Sequence, residues 1–178
     1  MACSATLLGL PKDCDKSMGG VAAIWLAPYE ENAATVSTGG TEVVNLNTAY
    51  TETFKKYYFK KGNASMTSTL NVDATNGTNY VSTELLLQFN KMETKKRTEI
   101  SALSNYDIMA IVKDANGKYW FLGKDLPLLA SAANGQTGQA RTDGNFYTIT
   151  LVDESNDWPF ELSTTAIEAI EQIDYPTV

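Results

Sequence analysis

Histidine is absent from the 178 residues. Its absence removes the commonest general base, the usual partner of a nucleophilic serine or cysteine, and the commonest transition-metal ligand. Cysteine occurs only as Cys3 and Cys14. A zinc site would have to combine these with carboxylates, and their spacing fits no zinc pattern. In a reducing compartment they stay thiols; a disulfide between them is the alternative. Phosphate-cradling glycine loops are missing, since Gly135-Gln-Thr-Gly138 has neither the lysine nor the strand-to-helix setting. Asp114-Ala115-Asn116-Gly117 lacks the further acids and terminal glutamate of a calcium loop, so a turn accounts for it. Glu30-Glu31 and Asp153-Glu154 read as ordinary loop acids. The expectation is a protein that is not an enzyme and uses no cofactor or metal. No apolar run is long enough to span a bilayer, and the first residues lack a basic n-region. No membrane anchor or signal peptide is expected.

The hydrophobic fraction is 43% and the aromatic fraction 10%, which suits one globular domain over residues 1–178. Net charge is −7. Basic residues gather in the middle (Lys55, Lys56, Lys60, Lys61, Lys91, Lys95, Lys96, Arg97), while every charged residue after Thr142 is an acid. Such polarity describes either two solvated faces of one chain or complementary edges that meet between copies.

The most legible stretch runs from Met66 to Leu122. Met66, Leu70 and Val72 alternate with Thr67, Thr69, Asn71 and Asp73; then Val81, Thr83, Leu85, Leu87 and Phe89 alternate with Ser82, Glu84, Gln88 and Asn90. Side chains of a strand alternate between faces, so the pattern predicts a long antiparallel ribbon that buries one face, Ser68 its one polar member, and keeps the other polar except for Leu86. Met92–Ser104 changes to helical spacing, with Lys95, Lys96 and Arg97 on a solvated face or a phosphate-binding patch. Tyr106–Lys113 and Lys118–Leu122 flank Asn116-Gly117, which predicts a hairpin closed by a type I′ turn.

Elsewhere, residues 1–20 read as an irregular arm, Val21–Pro28 as a core strand, and Thr41–Leu46 and Tyr50–Phe59 as further strands. Leu126–Leu129 is a short apolar piece, and residues 130–145 have the composition of a long flexible loop. Phe146–Val152 is a marked strand, followed by a turn over Asp153–Pro159. Thr165-Ala166-Ile167-Glu168 has capping-box spacing, which predicts a short C-terminal helix. The resulting fold class is mostly β (α+β), an antiparallel β-sandwich or barrel with one flanking helix at about 92–104 and a short C-terminal helix.

Three stretches, VSTELLLQFNKMETKKRTEISAL (81–103), IMAIVKDANGKYWFLGKD (108–125) and NFYTITLV (145–152), carry a resemblance to tail tube proteins of tailed bacteriophages. In particular the chain is similar to virion proteins from phages of gut Bacteroidetes-type hosts. The resemblance implies a virion structural protein assembled in the host cytoplasm and located in the tail. Its copies would form hexameric rings, stacked into a conduit for genome DNA. Partners would then be further copies of the chain and other tail proteins, with DNA only as passing cargo. On that reading Thr67, Thr69, Asn71, Asp73, Ser82, Glu84, Gln88 and Asn90 face the lumen. Contacts between subunits would involve Cys3, Cys14, Lys95, Lys96, Arg97, Gly135, Gly138 and Arg141. Other readings remain open at this stage: another virion ring or connector, a capsid decoration or fibre protein, a monomeric β-sandwich binding module, or a nucleic-acid-binding regulator or enzyme using the lysine-rich middle.

Overall fold

The structure, a computed structural model, describes residue 9, residues 16–37 and residues 43–173, with Val43 described in its backbone alone. The chain is mostly β and forms two stacked sheets. One sheet has seven strands in the order β2-β3-β11-β8-β7-β1-β4. These are β1 (Val21–Pro28), β2 (Ala34–Val36), β3 (Val43–Leu46), β4 (Lys55–Tyr57), β7 (Ile108–Asp114), β8 (Tyr119–Leu122) and β11 (Phe160–Leu162). The other has four strands in the order β5-β6-β10-β9, namely β5 (Ala64–Asp73), β6 (Thr78–Asn90), β9 (Leu129–Gln136) and β10 (Phe146–Ser155). Three helices complete it: α1 (Thr48–Thr51), α2 (Thr94–Asn105) and α3 (Thr164–Glu171). The pairings are antiparallel except β3 with β11, which makes the larger sheet mixed.

The central strands β1 and β7 explain the layering. Ile24, Leu26, Ala110 and Val112 point into a core shared with Leu85, Leu87, Ile149 and Leu151 of the smaller sheet. Ala23, Trp25, Ala27, Met109 and Ile111 point the other way, into a second core closed by Phe54, Ala166 and Ile170. A strand buried on both faces has no reason to alternate, and VAAIWLAP and IMAIVKD accordingly read as continuous apolar runs. The molecule is therefore three layers: small sheet, large sheet, and a thin layer containing α1 and α3.

Local chemistry moved several boundaries. The segment expected as a strand over Tyr50–Phe59 begins inside α1, which Asn47 caps by accepting from the Ala49 N–H at 3.1 Å. Only Lys55–Tyr57 remains strand. Helix α2 starts at Thr94 rather than Met92, because Lys91 takes a left-handed turn (φ 64°) and the Met92 N–H donates to Asn145 Oδ1 at 2.9 Å. Helix α3 is capped by Ser163, whose Oγ accepts from the Ala166 N–H, and not by Thr165. The 114–117 turn is not type I′. Among the described non-glycine residues only Lys91 has positive φ, so Asn116 does not, while Gly117 stands at φ 84°. The Gly117 N–H instead donates to the Asp114 carbonyl at 3.2 Å, the geometry of a type I turn followed by a left-handed glycine, and the Asp114 carboxylate accepts from the N–H groups of Asn116 and Lys118.

Two corrections bear on the site. Residues 130–145 are not one loop, because Leu129–Gln136 forms β9 along the edge of the small sheet. Its inward positions Ala130, Ala133 and Gly135 are small, and a Cβ added at Gly135 would lie 2.7 Å from the Tyr147 ring. Gly135 is pressed that closely, and after Leu129 the strand carries only small and polar residues, mostly exposed, which gave it the composition of a loop. Likewise Asp153 and Glu154 are not loop acids, since β10 runs on to Ser155 and Asp153 is buried.

Candidate assembly surface

The site is built on β5 and β6, whose register runs without a break from Ala64↔Leu87 to Asp73↔Thr78. Directly paired residues of antiparallel strands share a face. The pairs Thr67↔Glu84, Thr69↔Ser82, Asn71↔Tyr80 and Asp73↔Thr78 therefore stand together, opposite the buried Val81, Thr83, Leu85 and Leu87. Gln88 and Asn90 continue the same face. All eight residues expected to be polar and outward lie on one side of the small sheet.

The register also extends that face across strands whose contribution the sequence did not single out. Thr148 lies beside Gln88, Thr150 beside Leu86 and Glu154 beside Ser82 on β10, and Asn134 and Ala132 follow on β9. The alternation of Phe146–Val152 already set Thr148 and Thr150 opposite Ile149 and Leu151; Asn134 and Gln136 were hidden by the loop-like composition of β9. The strand positions on this outer face include no lysine or arginine, and their charges are Asp73, Glu84 and Glu154. Backbone N–H groups of Thr75 and Asn76, together with the Asn76 amide, hold the exposed Asp73 carboxyl below its ordinary range.

Both margins of this sheet, β5 and β9, have no partner strand among the described residues. The Gln88 N–H donates to the Asn63 carbonyl at 2.8 Å, which sets the parity of the β5 ladder. Odd-numbered residues of β5 turn their backbone groups toward β6, and even-numbered ones, Met66, Ser68, Leu70 and Val72 among them, turn theirs outward. A row of free N–H and C=O groups is a template for a strand from another chain.

The ribbon also departs from expectation. It was expected to bury one face along its whole length, yet Leu70 is 46% and Val72 65% exposed. Strand β10 ends at Ser155 opposite Val81, so the distal end of the ribbon overhangs the sandwich and its apolar side is uncovered.

Of the residues expected between subunits, Cys3 and Cys14 lie outside the described residues, as does most of the 1–20 arm. Gly135 is in the edge strand β9, and Gly138 and exposed Arg141 follow in the 137–145 loop. On α2, Lys95 and Arg97 are exposed, whereas Lys96 is tied to the Asn90 carbonyl at 2.5 Å and to Glu93 at 3.5 Å. Part of the charge complementarity is internal: Lys113 pairs with Glu171 at 2.9 Å and Lys118 with Glu161 at 2.5 Å. Among the described residues no helix is long and apolar enough to cross a membrane.

No protein-family model matches the chain, and a search of curated proteins returns no match.

Proposed function

We propose that this chain is a structural ring subunit of a phage tail tube, with the outer face of the small sheet lining a conduit for DNA. The observation that carries the reading is one sheet whose two margins have no partner strand among the described residues and whose outer-face strand positions carry no lysine or arginine. Pairing β5 of one copy with β9 of the next satisfies both margins at once. Repeated head-to-tail, such a contact closes into a ring if the rotation per copy divides the circle. The closed ring then carries this outer face, polar but for exposed Leu86 and Leu129 among its members, around one surface, and a lumen needs that face inward. A DNA conduit must not hold its cargo: each lysine or arginine facing the phosphates would add a counterion-releasing contact, and hydroxyl, amide and carboxylate groups add none.

Native mass spectrometry and negative-stain imaging of the purified protein test the proposal. Rings, or rods of stacked rings, are expected as concentration rises and salt falls. A single monomeric species throughout that range would sink it.

A further inference from the structure

The margins of the small sheet lack the devices that keep sheet edges apart. Natural proteins blunt an edge by keeping it short or by placing lysine or proline on it. The large sheet does both at its margins: β2 and β4 have three residues each, and β4 carries Lys55 and Lys56. In the small sheet β5 runs for ten residues and β9 for eight, and neither contains lysine, arginine or proline. Edges of that length and composition suit a covering strand, and a second copy of the sheet supplies one for each.

The geometry of the two margins restricts how they can meet. The sheet has four strands, each antiparallel to its neighbour, so β5 and β9 run in opposite directions. Extending it around a lumen puts the ring axis along the strands. Rotation about that axis preserves direction, so β5 of one copy meets β9 of the next antiparallel, with the outer face continuous. Parity narrows the register. Odd-numbered residues of β5 bond β6, so Ser82 and Glu84 face β5 while Leu85 and Leu87 face β10. Their partners Leu151 and Ile149 leave Thr150 and Thr148 to face β9, where they pair with Ala132 and Asn134. Ala133 and Gly135 therefore turn their backbone groups to the margin, as Met66 and Ser68 do on β5. A ladder across the joint must set even-numbered residues of β5 opposite Ala133 and Gly135. Keeping the eight residues of β9 alongside the ten of β5 puts Gln136 opposite Ala64, Ser65 or Met66, and only Ser65 meets that condition.

We propose that copies join in this one register, with Met66 opposite Gly135, Thr67 opposite Asn134 and Ser68 opposite Ala133. The inference rests on the ring reading and specifies its joint. The side chains suit it. A Cβ at Gly135 would stand 2.7 Å from the Tyr147 ring and 3.4 Å from the Met92 methyl, so the half-buried Met66 of the next copy finds a floor made by both. A thioether against an aromatic ring is a favourable contact. On the outer face Thr67 comes beside Asn134 and Thr69 beside Ala132, which keeps the joint uncharged.

Disulfide trapping reads the register. Cys3 and Cys14 are replaced by serine, and one chain carries Thr67→Cys together with Asn134→Cys. Across the joint these two Cα atoms are about 4.5 Å apart, within reach of a disulfide. Within one copy β6 and β10 separate them by roughly 14 Å, at about 4.8 Å per strand, so a link must join two copies. Oxidation of the assembled protein should move most of the chain into a ladder of linked multimers on denaturing gels. Thr69→Cys with Asn134→Cys, two residues out of register, should remain single chains. Should the first pair fail to assemble when reduced, Ser65→Cys with Gln136→Cys probes the same register. Rings in native mass spectra without a link at either in-register pair, or with the Thr69 pair linking instead, would overturn the inference and leave the ring reading standing. A parent chain that forms no rings would remove both.

Discussion

Asp153 is the residue at which this fold works against itself. Directly opposite Thr83 in the small sheet, it points into the core and is 4% exposed. One carboxyl oxygen accepts from the Gly123 N–H at 3.3 Å and the other has no hydrogen-bond partner among the described residues. Burial is the main reason its pKa is pushed up to about 6, with Asp125 adding repulsion and the Gly123 N–H opposing. The sign follows by linkage. The unfolded chain releases this proton near 3.8 and the folded one near 6, so Asp153 costs nothing below the lower value. Its penalty grows as pH rises between them and is complete above the higher one. Asp153→Asn should therefore be more stable than the parent at pH 7.5, on the order of 2 to 3 kcal/mol. The two should converge near pH 4. Denaturant midpoints across that range check it, and a constant difference would show that the carboxyl does not titrate in this window. Glu171, Glu93, Asp73 and Asp143, whose pKa values are lowered, lose stability only as pH falls through their own range, so the difference between the two proteins isolates Asp153.

Among the elements, β5 has the most to reveal about assembly, because its parity separates folding from pairing. The Leu70 N–H faces outward, its side chain is half exposed, and the Gln88-to-Asn63 bond shows that the ladder to β6 uses the odd-numbered residues. Proline is tolerated on an edge strand where its missing N–H faces solvent. Leu70→Pro should cost no more than about 1 kcal/mol of monomer stability while abolishing rings. Thermal melting and native mass measured on the same preparation decide this. Rings that persist with proline at this position would show that β5 is not a pairing edge. The opposite margin is built for close approach: β9 carries Ala132, Ala133, Asn134 and Gly135, which keep its backbone unobstructed.

At the level of the whole molecule, three layers divide the work. The large sheet is sealed on both faces and supplies rigidity, which leaves the small sheet free to expose one face in full. Asp73 and Glu84 stand on that face. Replacing both with lysine changes exposed strand positions and should leave folding nearly intact. In a ring, however, every copy repeats the change, and stacked rings repeat it along the tube. If the chain builds the proposed tube, particles of the double variant should assemble yet release DNA slowly, with the delay relieved by added salt as counterion release predicts. Ejection kinetics at low and high salt read this out. Unchanged kinetics at low salt would place the face away from the channel.

What the sequence determined by itself is whatever depends on neighbours along the chain. The alternation of Thr67 to Asp73 and of Val81 to Asn90 set the polar face, and two-sided burial showed in VAAIWLAP as an unbroken apolar run. Tertiary structure decided what depends on neighbours in space. Ala130 to Gln136 looked like loop because its residues are small or polar, and only the pairing with β10, close enough at Gly135 to touch the Tyr147 ring, makes it a strand. Leu70 and Val72 alternate like buried residues, yet they stay 46% and 65% exposed, because β10 stops opposite Val81, short of the ribbon's end. An apolar cleft lined by Leu26 and Pro28 of β1, Tyr57 of β4 and Leu103 of α2 draws on segments far apart in the chain, which only the fold brings together. Asp153 shows the same division. Its acidity is a property of the residue, but the fold alone buried it, because β10 continues two residues beyond Asp153 and carries the carboxyl inward opposite Thr83.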